Sequence, residues 1–144
     1  MGLKIFPNLF PEDLPRIIQR SRLVVKQGKW REVRYKREER TASGVYNFIV
    51  TLEGIVFIRR ASARVADRAI GHIDLAKGED VKYAGRLYFS GRTNRGILRK
   101  WTNESGHYRP NAESISNADL LPQELFEPGQ FKSIINLNLI SGND

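Results

Sequence analysis

At 144 residues the chain is long enough to bury one core without covalent staples, and its 24 Lys and Arg against 16 Asp and Glu give a formal net charge of +8. With no cysteine, disulfides, thiolate metal sites and cysteine nucleophiles are excluded, and two histidines argue against a histidine-rich metal cage. No apolar run approaches the roughly 20 residues of a membrane span, and the N-terminus lacks the basic-then-apolar pattern of a signal peptide. The expectation is one soluble domain over residues 1–144, with no membrane partner and no cofactor.

In chain order, "FPNLFPEDLPRIIQRSRLVVKQGKW" carries Pro7, Pro11 and Pro15, then Leu14, Ile17, Ile18 and Leu23 at approximately helical spacing. A helix is predicted over about residues 12–25, with Pro15 in its first turn and Gly28 beyond its end. "WREVRYKRE" alternates in a mixed pattern that suits an edge strand carrying protective charge. "VYNFIVTLEGIVFIRR" holds two β-rich runs, Val45–Leu52 and Ile55–Arg60, joined by Glu53-Gly54 as a two-residue hairpin turn. "ASARVADRAIGHIDLAKGED" has no strand period; a short helical turn is expected near Ala61–Ala69, with a turn at Lys77–Asp80. "VKYAGRLYFSG" alternates Val81, Tyr83, Gly85, Leu87 and Phe89 on one face and forms a second hairpin with "ILRKW". A short or broken helix is expected in "NAESISNADLLPQELF", and "FKSIINLNLI" reads as a last strand. The sum is an α+β fold: an antiparallel sheet of five to six strands built from hairpins, an N-terminal helix and a short helix before the last strand.

Charge is unevenly placed. Ten Lys and Arg fall between Arg16 and Arg40 against Glu32, Glu38 and Glu39, and seven between Lys82 and Arg109 against Glu104 alone; after Pro110 the sign reverses. A basic body with an acidic tail suggests an anionic partner, nucleic acid above all, although a merely solvated basic face is the plain alternative.

The stretch "GHIDLAKGEDVKYAGRLYF…GILRKWTNESGHYRP" resembles the C-terminal domains of bacterial polymorphic toxins and secreted effectors, whose pattern runs from a His through an "AG" strand to N-x-SGHYxP. The matching residues are Gly71, His72, Leu75, Gly78, Val81, Ala84, Gly85, Asn103, Ser105, Gly106, His107, Tyr108 and Pro110; Arg86 stands where the pattern has an acidic side chain. The resemblance implies a domain secreted or delivered into a target cell, acting in its cytoplasm, and a possible immunity or neutralising protein as partner. It does not specify a reaction.

Chemically, two histidines on a basic surface suit metal-independent RNA cleavage: one takes the 2′-OH proton, the other protonates the leaving oxygen, and Lys or Arg stabilises the charge on phosphorus. His107 and His72 are the candidates, with Ser105 and Tyr108 beside them and Glu104 as a general base. Arg99, Lys100, Arg109, Arg86 and Lys82, with Trp101 as a stacking platform, are the candidate RNA-binding residues. Against these stand plainer roles: His107 and His72 as turn residues tied to backbone, Trp101 as core. Two other functions compete. One is transfer of ADP-ribose from NAD with Glu79 or Glu104 orienting the ribose, for which no Ser-Thr-Ser or Glu-x-Glu motif speaks. The other is a non-enzymatic binding module centred on the SGHYRP turn.

Overall fold

The computed structural model describes residues 5–34, 38–65, 68–91, 93, 95–105, 108–110 and 131–132. Ten strands and one helix follow one another along them: β1 Ser21–Lys26, β2 Lys29–Val33, β3 Glu39–Thr41, β4 Gly44–Val50, β5 Val56–Arg60, β6 Arg64–Val65, β7 Arg68–Ala69, α1 His72–Ala76, β8 Tyr83–Phe89, β9 Leu98–Thr102 and β10 Phe131–Lys132. Eight strands form one sheet in the order β10-β9-β8-β4-β5-β1-β2-β3, while β6 and β7 pair separately. Every pairing in the large sheet is antiparallel except β10 on β9, which is parallel.

The sheet curls. Trp30 of β2 donates its backbone N–H to Gly96 O (2.9 Å), and Gly96 N donates to Ala42 O (2.7 Å), although β2 stands four strands from β8 in the sheet order. Gly96 belongs to the β8–β9 connection, so the two wings meet at one end and enclose an inner face in the manner of a partly open barrel. Aromatic side chains fill it edge to face: Phe6, Tyr83, Trp101 and Phe48 make one run, and Trp30, Phe89 and Tyr46 another. The β4 run "VYNFIV" is buried on both faces, because α1 covers the outer side of β4 and β5 while Tyr46, Phe48 and Val50 point inward.

This is a predominantly antiparallel β fold with a single five-residue helix among the described residues, and it overturns the α+β expectation with an N-terminal helix. Residues 14–20 are an irregular strap and Ser21–Lys26 is strand. The helical spacing misled because the stripe is not a buried face: Leu14 is 78% exposed and Ile17 fully exposed. The strap's polar groups are met by the rest of the fold instead of by helical turns. Arg16 N donates to Asp74 Oδ1 (2.7 Å), Arg20 Nη1 to Leu75 O (2.6 Å), and Arg59 Nη1 to Gln19 O (2.8 Å). The helical turn expected near Ala61–Ala69 is also displaced, since that stretch contains β6 and β7 and the helix begins at His72. The helix expected across residues 111–126 and most of the last strand lie outside the described residues; of the latter, Phe131–Lys132 is strand.

Both expected hairpins are present, with a correction to the first. Thr51 N donates to Ile55 O (2.9 Å), so the β4–β5 loop is Leu52-Glu53-Gly54, three residues with Gly54 at φ 90°. A further hairpin joins β1 and β2 through Gln27 (φ 54°) and Gly28 (φ 76°), both in the left-handed region that a two-residue type I′ turn requires. Its signal in the sequence, "VVKQGKW", straddles the end of the predicted helix.

Candidate functional site

At the Arg86 end of the β8–β9 pairing, a polar cluster forms on the outer face. The register sets Asn47, Arg86 and Thr102 side by side across β4, β8 and β9, with Tyr88 and Lys100 as the next pair. Glu104, just past β9, ties them together. Its Oε1 accepts from Tyr88 OH (2.7 Å) and Thr102 Oγ1 (2.9 Å), and its Oε2 lies 3.5 Å from Arg86 Nη1. Arg86 Nε donates in turn to Asn47 Oδ1 (3.0 Å), and buried Asn47 donates to Ile70 O (3.2 Å). Lys100 Nζ sits 4.5 Å from the Tyr88 ring centroid, a cation–π contact. Burial, then the Glu104 carboxylate, pushes the Tyr88 hydroxyl above its ordinary range, so at neutral pH it remains a donor.

Of the residues singled out in the sequence, Glu104, Arg86 and Lys100 therefore share this cluster, and Arg99 is exposed on the adjacent strand position. Arg86 is the residue paired with Glu104. Thr102, two residues from Glu104 and readable from sequence only as a turn former, completes the cluster with Asn47 and Tyr88, whose proximity comes from strand register rather than from any local spacing.

His72 is not on a loop. It opens α1, is 6% exposed, and its Nε2 lies 2.7 Å from Gly85 O. A carbonyl only accepts, so Nε2 carries the hydrogen and the ring pins β8 to α1. Ser105 and Tyr108 are buried as well: Ser105 Oγ accepts from Tyr108 N (3.2 Å), and Tyr108 OH donates to Glu79 O (2.6 Å). Burial raises the Tyr108 pKa, in keeping with a phenol that stays protonated. With Asn103 donating to Pro110 O (2.9 Å) and Arg109 N to Ser105 O (2.9 Å), these residues build the turn itself. Trp101, 2% exposed between Phe48 and Tyr83, is core and offers no stacking face. Arg109 is exposed, with its guanidinium 5.3 Å from the Phe10 ring centroid, and half-buried Lys82 pairs its backbone with Val50 O. His107 lies outside the described residues.

A separate cleft of about 240 Å³ opens between the end of α1 and the β4–β5 hairpin, where Arg20, Phe57, Glu53 and Glu79 are among its lining. It is small for a ligand pocket and contains none of the candidate catalytic or RNA-binding residues, only Glu79 of the ADP-ribose alternative. Arg20 stacks over Phe57 there, 3.6 Å from the ring centroid, and burial lowers its pKa against the opposing pull of Glu79. No protein-family model, no curated protein and no solved structure matches the chain.

Proposed function

We propose that this chain is a delivered toxin or effector domain that binds RNA on the outer face of β8 and β9 and cleaves it without a metal. The observation that carries the reading is a partly exposed carboxylate, Glu104, held by Tyr88 and Thr102 and faced by Arg86, beside exposed Arg99 and Lys100. In this scheme Glu104 Oε2 takes the 2′-OH proton, and the 2′ oxygen attacks phosphorus to give a 2′,3′-cyclic phosphate. His107 protonates the departing 5′ oxygen, and Arg86 and Lys100 meet the charge that builds on phosphorus. The second histidine of a His pair is not required, since His72 is engaged with Gly85.

RNA incubated with the protein in chelator is expected to be cut, with Glu104→Gln and His107→Ala each losing about 10²-fold or more, the usual reach of general acid–base catalysis. Binding to RNA is expected to weaken steeply with salt, and Lys100→Gln to flatten that dependence by about one released counterion. Intact RNA together with salt-insensitive binding overturns the reading. One observation favours a non-enzymatic module instead: the turn from Asn103 to Pro110 is held by buried polar groups and displays Arg109. That alternative predicts RNA or protein binding that Arg109→Ala removes, with no cleavage.

A further inference from the structure

The inner face of the curled sheet carries a second charged cluster, where β2 and β3 pair and β4 begins. The register sets Glu32 opposite Arg40 and Tyr46 opposite Arg60. Glu32 is 2% exposed; its Oε1 accepts from Tyr46 OH (3.3 Å) and lies 3.8 Å from Arg40 Nε, and its Oε2 lies 3.9 Å from Arg34 Nε. Arg60 leans over the Tyr46 ring, 5.0 Å from its centroid, and donates to Ser43 O (2.9 Å). Neither guanidinium is close enough to Glu32 for a hydrogen bond. Among the described residues Arg34 Nε, although buried, has no hydrogen-bond partner, while the Arg34 and Arg40 side chains remain 31% and 52% exposed.

From this arrangement we infer that the cluster is a binding site for a phosphate monoester, clamped by Arg34 and Arg40 with Glu32 as the positioning residue that turns both guanidiniums toward one point. Three arginines against one glutamate leave an excess of two positive charges, which matches a phosphate dianion better than a carboxylate. The guanidinium fork suits phosphate oxygens bidentately, and the exposed portions of both side chains let it do so without displacing Glu32. The mouth of a curled sheet is also a common place for a small ligand. The inference is independent of RNA binding on the outer face.

The test is a titration of the full chain with inorganic phosphate at constant ionic strength in chloride, followed by amide NMR shifts. Saturable shifts are expected at Arg34, Arg40, Ala42 and Ser43, and Arg34→Gln and Arg40→Gln should each weaken binding about tenfold or more through loss of a charge-assisted hydrogen bond. Lys100→Gln on the outer face should bind phosphate as the unmodified chain does. A nucleoside 5′-monophosphate binding where the nucleoside does not would place the phosphate on a nucleotide; equal binding by inorganic phosphate would identify the free ion as sufficient. The proposal is overturned if phosphate gives no saturable shift, if the shifts fall on other strands, or if both arginine variants bind undiminished. Because the shifts in the unmodified chain already decide the location, a variant that fails to fold leaves the test intact. RNA binding weakened in Lys100→Gln with phosphate binding retained separates the two sites.

Discussion

Gly85 and His72 show how single positions hold the outer face together. A Cβ on Gly85 would lie 1.8 Å from Thr102 O and 2.7 Å from Thr102 C, both backbone atoms that cannot swing aside. Only glycine lets β9 cross so closely, and the Gly85 carbonyl is met by His72. Gly85→Ala should therefore destabilise by about 1–3 kcal/mol or more through overpacking, read from the midpoint of chemical denaturation. His72→Phe should cost about 1–3 kcal/mol by leaving a buried carbonyl unmet, while activity per folded molecule stays unchanged. A His72→Phe protein that is stable yet inactive would return His72 to the chemistry.

Among the elements, the turns and the N-terminal strap are where local chemistry can be isolated. Gly28 has φ 76° with nothing within 4 Å of a Cβ placed there, so Gly28→Val should cost only the backbone penalty of a left-handed conformation, about 1–2 kcal/mol. A melting temperature unchanged in that variant would show that the β1–β2 turn is of another type. The strap depends on Asp74, whose Oδ2 accepts from Gly71 N (3.0 Å) and whose Oδ1 accepts from Arg16 N. Asp74→Ala should open cleavage by added protease within residues 11–19 before the sheet unfolds, because it removes the acceptor of the strap's Arg16 backbone N–H and the partner of its guanidinium. Cleavage no faster than in the unmodified chain would show that packing alone holds it.

For the molecule as a whole, phenols are shielded from water on both faces of the sheet. Tyr46, Tyr83, Tyr88 and Tyr108 all have pKa values pushed upward, in each case chiefly by burial. A folded state that holds a proton more tightly than the unfolded chain keeps that stability below the unfolded tyrosine pKa of about 10 and loses it as pH climbs further. Thermal melts should be level in this respect up to about pH 10 and fall above it, and Tyr83→Phe should make the fall shallower. A melting temperature independent of pH across that range would mean the phenols are not shielded as described.

The β-rich runs, their two principal hairpins, the inward alternation of Tyr83, Leu87 and Phe89, and the basic balance are legible along the chain, because these are properties of neighbours two residues apart and of composition. The sequence also contained Glu104, Arg86 and Lys100 as candidates, since exposed charge beside a strand end is visible locally. Tertiary structure alone decided that residues 14–20 are a strap, because the test of a helical stripe is whether it meets a core, and Ile17 meets none. It alone decided that His72, Ser105, Tyr108 and Trp101 are buried, since burial depends on what α1 and the curling sheet lay over them. Most of all, it joined Tyr88 and Asn47 to Glu104 and Arg86, and Glu32 to Arg34, Arg40 and Tyr46, through strand register and long-range closure, which no spacing along the chain encodes.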